Sequence, residues 1–295
     1  MTLTGFVKPV WLRKPVSQSV GKQAVLQVLV DKGVHTVCQG ARCPNLSECF
    51  GRGTAAFLIL GPACTRRCTF CAVDKGPVQE VRPEEPAALA AAAADMGLTH
   101  VVVTSVTRDD LPDGGADHFA KTVLALRCAL PTATVEVLTP DFLGQESSLL
   151  CVLEARPDIF NHNLETVPRL YGVRPGADFN RSLGLLRLAK EHSPRVQTKS
   201  GLMLGMGETP EEVFQVLKCL AAVGCDKVTL GQYLSPSRHH HAVADYVTPD
   251  QFDDYRIAAE GFGITQVFSG PFVRSSYRAE EMISHSTPTL TRSLS

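Results

Sequence analysis

The sequence has no surplus of positive charge: 29 Lys and Arg stand against 30 Asp and Glu, a formal net charge of -1. That excludes a general nucleic-acid binder, which carries a basic excess, though a local basic patch is still allowed. There is no run of 18 apolar residues, so no segment is long enough to span a bilayer as a helix. The opening residues, MTLTGFVKPVWLRKP, lack the apolar core of a secretory signal, and a cytoplasmic location is expected. No internal repeat exists beyond an alternation of strand-like and helix-like runs. Low apolar content, the mark of disorder, is also missing: 44% of the 295 residues are apolar and 20% are charged, ordinary values for a globular chain. A chain of this length buries roughly three quarters of its unfolded surface, so it needs no covalent staples.

Cysteine is what the chain has in excess. Of ten cysteines, six fall between Cys38 and Cys71: Cys38, Cys43, Cys49, Cys64, Cys68 and Cys71. The other four, Cys128, Cys151, Cys219 and Cys225, lie on apolar stretches and are expected as buried small hydrophobes. A disulfide framework does not suit a large chain without a secretory signal. Such a cluster in a reducing compartment points to metal.

Residues 1–54 show little periodicity apart from an amphipathic stretch over 22–32. From residue 55 onward the pattern predicts strands at 55–60, 99–105, 133–139, 158–162, 196–203, 226–232 and 264–269. Helices are predicted at 83–96, 117–130, 145–155, 178–192, 210–223 and 249–261. The Ala-rich run 88–94 favours helix and suits close packing. Two helix starts carry a Thr cap, Pro in the first turn and Glu or Gln three residues on: Thr209-Pro210-Glu211-Glu212 and Thr248-Pro249-Asp250-Gln251. The fold class expected is α/β, a partial (β/α) TIM-type barrel of six to seven parallel strands over 55–270. An N-terminal extension (1–54) and a C-terminal segment (271–295) flank it, and residues 279–295 are expected as a frayed tail.

Cys64, Cys68 and Cys71 form a CxxxCxxC cluster directly after the first of these strands, at the mouth of the barrel. Three thiolates on one loop can hold three corners of a 4Fe-4S cluster. The fourth iron is then open to chelate a substrate or cofactor. Arg66 and Arg67 are expected to offset the cluster's negative charge. Zinc is the competing reading, but no His lies between Cys49 and His100. The spacing, with Phe70 before the last cysteine, resembles the signature of radical S-adenosylmethionine enzymes. That resemblance implies reductive cleavage of S-adenosylmethionine to a 5′-deoxyadenosyl radical.

The other triplet, Cys38, Cys43 and Cys49, is CxxxxCxxxxxC and implies a second cluster; a zinc knuckle completed by His35 is the alternative. The two triplets, separated by 14 residues, resemble those of the lipoyl synthase family. So do KPVWLR at 8–13, GARCPN at 40–45, VTSVTRDDLPDGGADHFA at 103–120, VEVLTPDF at 135–142, the long segment 160–183, TKSGLMLGMGET at 198–209, LGQYLSPS at 230–237 and RSSY at 274–277. The resemblance implies two 4Fe-4S clusters, with Ser276 as fourth ligand of the auxiliary one and Ser275 as the fallback. Alone, RSSY reads equally well as a turn with hydroxyl caps. An oxygen ligand suits iron less than thiolate, so that corner should be labile, as befits a cluster that is broken up to donate sulfur.

The implied reaction inserts two sulfur atoms at C6 and C8 of a protein-bound octanoyl-lysine. Implied partners are an octanoylated carrier (H protein or the lipoyl domain of a 2-oxoacid dehydrogenase), an electron donor such as flavodoxin or ferredoxin, and an iron-sulfur carrier for cluster repair. Neither nucleic acid nor membrane is expected. Another radical sulfur-inserting enzyme, such as a methylthiotransferase, is the alternative, and a zinc-stabilised binding protein is a third.

Thr104 and Ser105 end a strand and are expected near the methionine end of the cofactor. The Asp-rich segment after them, Arg108 to Gly115, also suits a turn and helix cap. Asn161, Asn163 and Glu165 are placed to hold ribose hydroxyls. Arg174 and Lys199 are candidates for the cofactor carboxylate, or for surface ion pairs. Gly205-Met206-Gly207 would let backbone approach adenine, or is a tight turn. His239-His240-His241 resembles a metal tract but is expected as a solvated loop, where the family usually has His-Leu-Pro-Val. A basic docking surface is sought around Lys8, Arg13, Lys14, Arg42 and Arg52.

Overall fold

The computed structural model describes residues 8–14 and 20–282. Seven short apolar runs form parallel strands: β2 (Ala56–Ile59), β3 (His100–Ser105), β4 (Thr134–Leu138), β5 (Ile159–Asn161), β6 (Gln197–Leu204), β7 (Lys227–Gln232) and β8 (Gln266–Gly270). Most of their residues are buried, as strands covered on both faces require. Each pairs in parallel with the next in sequence. Between them run α4 (Glu85–Asp95), α5 (Ala116–Ala129), α6 (Glu146–Glu154), α7 (Phe179–His192), α8 (Pro210–Ala222) and α9 (Pro249–Gly261). The result is a partial β/α barrel whose strands all end at one rim.

The periodicity located each of these strands and helices to within two residues. Thr209 closes a full capping box with Glu212 at the start of α8. Thr248 accepts the Gln251 N–H at the start of α9. Ala92 and Ala93 are fully buried on α4, which packs against α5.

The sequence did not foresee an eighth strand. After α1 (Val20–Lys32), β1 (His35–Thr36) pairs antiparallel with β2 and leads into α2 (Val37–Gly40) and α3 (Leu46–Gly51). Two residues are too few for a periodic signal. The sheet runs in the order β1 to β8 and is not closed between its ends.

The chain after β8 returns across that gap to the first cysteine triplet. Asn45 Nδ2 donates to the Phe272 carbonyl at 2.7 Å, and the Tyr277 hydroxyl donates to Glu48 at 2.7 Å. Lys14 pairs with Glu48 and lies over the rings of Phe272 and Tyr277. Arg52 pairs with Glu280 and Glu281. Lys14 and Arg52 are therefore not free members of a basic docking face; they pin the two ends of the chain together. Ala279–Met282 form a 3-10 turn with both end residues buried, so the expected frayed tail does not begin at residue 279. Its remainder, 283–295, lies outside the described residues, as do 1–7 and 15–19. Among the described residues no helix is long and apolar enough to cross a membrane.

Candidate active site

The loop after β2 carries Cys64, Cys68 and Cys71 and is held from several sides. The Cys64 N–H donates to the Asp74 carbonyl at 2.8 Å, Thr65 N–H to Thr107 at 3.0 Å, and Thr69 N–H to Val173 at 2.9 Å. The Cys64 sulfur accepts the backbone N–H groups of Arg66 (3.4 Å) and Thr107 (3.3 Å). Such bonds stabilise a thiolate and raise the potential of any cluster it binds. Burial pushes the Cys71 thiol up to about 11 and the Cys68 thiol upward. These groups therefore shed their protons when a positive metal centre replaces them.

Arg66 lies close enough for its charge to favour the Cys68 thiolate, but it is also shared with two carboxylates. Its guanidinium is spent on Asp109 (2.7 and 2.9 Å) and Asp141 (2.6 Å). Burial opposes the charge, but the two carboxylates raise the guanidinium pKa. The ion pairs anchor the cysteine loop to the loops after β3 and β4. Arg67 is exposed.

All three thiols line a cavity of about 190 Å³ at the rim, together with Phe70, Thr104, Ser105, His162, Asn163, Glu165 and Arg174. Five buried polar atoms there have no partner: Ser105 Oγ, Thr139 Oγ1, His162 Nε2, Asn163 Oδ1 and Arg174 Nε. Buried polar groups are rarely left so. Together they offer donors and acceptors to a ligand bearing an amine, a carboxylate and hydroxyls, which is the donor and acceptor set of S-adenosylmethionine.

Arg174 Nη1 is fixed by the Leu164 carbonyl (3.0 Å) and the Tyr171 hydroxyl (2.8 Å), leaving Nε free. Glu165 has φ +66°, a backbone state disfavoured for a residue with a Cβ. Asn163 Nδ2 donates to it at 3.1 Å, and burial raises its pKa. Thr104 Oγ1 donates to the Leu138 carbonyl.

His162 was missed in the sequence. Its Nδ1–H donates to the Thr139 carbonyl at 2.8 Å, which leaves Nε2 as an acceptor. Burial and the nearby Arg174 push it down to about 4, so it is neutral at pH 7. Only its place between Asn161 and Asn163 at a strand end signalled it.

Lys199 does not belong to this site. Its Nζ donates to Glu136 Oε1 at 2.9 Å and Oε2 at 3.2 Å inside the barrel, with both side chains fully buried. Lys199 lies near the start of β6 rather than its rim end, and its partner Glu136 comes from another strand, where no local pattern records it. Asn161 Nδ2 also donates to Glu136, at 2.9 Å.

The first triplet lies across the gap. Arg42, with φ +51°, turns the chain so that Cys43 N–H donates to the Cys38 carbonyl at 3.0 Å. Cys38, Cys43, Cys49 and Ser276 line one cavity of about 310 Å³; Ser275 and His35 do not. Burial pushes Cys38 up to about 11, and burial with the neighbouring Cys38 and Cys43 pushes Cys49 up to about 12. Among the described residues no three His, Cys, Asp or Glu side chains gather around a point suited to a single metal ion.

A further cavity, about 390 Å³, is lined by members of both triplets. Cys38, Cys43 and Ser276 line it, as do Phe70, Cys71 and Glu165. Val37, Val73, Met203 and Leu234 are among its apolar lining, and Arg42, Ser235 and Arg274 are polar members. Arg274 lines both this cavity and that of the first triplet; burial pushes its pKa down, against the pull of Cys43 and Glu165.

Of the four remaining cysteines only Cys225 is buried; Cys128 is exposed, and Cys151 and Cys219 are half-buried, contrary to expectation. Cys128, Cys151 and Cys219 sit on α5, α6 and α8, in stretches that are apolar overall.

Residues 58–220 match the radical SAM superfamily. Two solved structures share the fold at low identity. SuiB of Streptococcus suis, bound to S-adenosylmethionine, is 12% identical with a TM-score of 0.58, over 76% of this chain and 54% of that one. Methylornithine synthase (PylB) is 14% identical with a TM-score of 0.52, over 91% of this chain and 90% of that one. The fold and the match make this chain a member of the radical SAM superfamily. Within it, relatives are far closer. The lipoyl synthase of Caldanaerobacter subterraneus subsp. tengcongensis is 54% identical over 275 residues, covering 92% of this chain and 96% of that one. That of Caldicellulosiruptor saccharolyticus is 54% identical over 275 residues, covering 93% and 96%. The chain belongs to the lipoyl synthase family.

Proposed function

We propose that the chain inserts two sulfur atoms at C6 and C8 of an octanoyl group carried on a lysine of a lipoyl carrier protein. The observation that carries this reading is the largely apolar cavity lined by Cys38 and Cys43 of one triplet and Cys71 of the other. An alkyl chain lying there has a radical source on one side and a sulfur source on the other. When bound, S-adenosylmethionine and the two 4Fe-4S clusters supply a 5′-deoxyadenosyl radical strong enough to take an unactivated hydrogen, and the sulfur that replaces it.

The chain's own residues bind and orient. Cys64, Cys68 and Cys71 hold the cluster that leaves one iron open. Ser105, His162, Asn163, Glu165 and Arg174 hold the cofactor, with Phe70 and Thr104 closing the cavity around it. Cys38, Cys43, Cys49 and Ser276 hold the auxiliary cluster. Residues 55–270 act as the radical-forming barrel, with 1–54 and 271–295 supplying the auxiliary site. Val37, Val73, Met203 and Leu234 exclude water from the alkyl chain. The carrier is an H protein or the lipoyl domain of a 2-oxoacid dehydrogenase; flavodoxin or ferredoxin delivers electrons, and an iron-sulfur carrier restores the auxiliary cluster. Ten free thiols suit the reducing cytoplasm.

The test is anaerobic incubation of reconstituted protein with S-adenosylmethionine, a reductant and an octanoyl-lysine peptide, read by mass spectrometry. Two sulfurs gained, with 5′-deoxyadenosine released, is the expected result. Release of 5′-deoxyadenosine without sulfur gain would overturn the sulfur-inserting reading and leave the radical chemistry standing.

A further inference from the structure

The histidine run at 239–241 is not uniformly solvated. His239 is exposed, and His240 Nδ1 meets the Ser237 hydroxyl at 2.8 Å. His241 is half-buried and makes three bonds to three different parts of the mouth. Its backbone N–H donates to the Thr69 carbonyl at 2.9 Å, between Cys68 and Cys71. Its carbonyl accepts the Tyr233 hydroxyl at 2.7 Å. Its Nε2 lies 3.2 Å from the Met206 carbonyl. A carbonyl only accepts, so Nε2 carries the proton.

These contacts form one strut. The Thr69 peptide is clamped from both sides, by Val173 through its N–H and by His241 through its carbonyl. Tyr233, a wall of the apolar cavity, is fixed by the same residue. Met206 is itself rigid: it is buried, its N–H donates to Glu208 at 3.0 Å, and a Cβ on the preceding Gly205 would lie 2.2 Å from Gln232 Nε2. The imidazole thus ties the backbone that braces the cysteine loop to a fixed point at the end of β6.

We infer that His241 is a positioning residue that sets the cysteine loop, and with it the cofactor site, against the β6 rim. The inference rests on the proposed use of that site for S-adenosylmethionine.

The experiment compares His241→Leu, His241→Gln and, as a control, His239→Leu in anaerobically reconstituted protein. Iron content is measured first. Then S-adenosylmethionine affinity is read from the change it causes in the electron paramagnetic resonance spectrum of the reduced cluster. His241→Leu keeps the backbone bonds and loses the Met206 bond; the expected result is unchanged iron and about fivefold weaker binding, the value of one ordinary hydrogen bond. His241→Gln, whose amide can donate to the same carbonyl, should bind within about twofold of wild type. His239→Leu should match wild type.

Equal affinity in His241→Leu and wild type would overturn the inference. So would a Gln variant as weak as the Leu variant, since bulk and not the donor would then matter. If His241→Leu loses iron, the Gln variant decides: wild-type iron and affinity support the strut, and shared iron loss overturns it. Wild-type protein that holds iron but gives no spectral response to S-adenosylmethionine would overturn the proposed function, and this inference with it.

Discussion

Lys199 on β6 reaches Glu136 on β4, Nζ to Oε1 at 2.9 Å, with both side chains fully buried. Burial alone would raise the Glu136 carboxyl, but Lys199 and His100 hold it down to about 2. Lys227 stands beside them; burial and Lys199 push it down to about 8, and its Nζ donates to Gln266 and to the Met282 carbonyl. The barrel interior thus couples a buried charge network to the chain's C-terminal turn.

Removing one partner of a buried ion pair leaves the other uncompensated, at a cost of about 3–5 kcal/mol. Lys199→Met should lower stability by that amount in urea unfolding of the cluster-free protein. Its S-adenosylmethionine affinity after reconstitution should match wild type. A loss under about 1 kcal/mol would show that the network relaxes around the change.

His162 predicts a pH dependence of stability. Its folded pKa, about 4, lies below the ordinary 6.5. As pH falls, the unfolded chain takes up the proton first. The contribution is therefore complete above pH 6.5 and is lost between pH 6.5 and about 4; the gap is worth about 3 kcal/mol at most. His162→Asn should flatten the decline in urea midpoint between pH 7 and 5. Glu136 works lower, being lost between pH 4.5 and about 2, so the two are separable. A variant with the wild-type slope would remove His162 as the cause.

Ser276 shares its cavity with Cys38, Cys43 and Cys49. Replacing its oxygen by sulfur should strengthen that corner of the auxiliary cluster. Ser276→Cys is expected to keep the iron content and to slow sulfur transfer by at least about tenfold, an order-of-magnitude expectation for losing a labile ligand. 5′-Deoxyadenosine release in the first turnover should persist. Unchanged sulfur gain by mass spectrometry would end the labile-corner idea.

Local pattern was enough for the barrel's seven parallel strands and six covering helices. Their periods, caps and turns act within a few residues, as at Thr209 and Thr248. The cysteine spacings were legible for the same reason, because three ligands on one short loop need no distant partner to announce themselves. Position along a strand was another matter. Asn163 and Lys199 were both candidates for cofactor contacts from the sequence. One lines the rim cavity beside the second cysteine triplet, and the other is neutralised deep in the barrel by Glu136, 63 residues away in sequence. The same holds for Arg66, whose charge is claimed by Asp109 and Asp141, and for Arg52, claimed by Glu280 and Glu281. His162 and His241 became visible only once their partners were in place. Charge and hydrogen bonding are decided by what stands within about 3 Å of an atom, and in a parallel barrel those neighbours come from other strands and loops, where no local pattern records them.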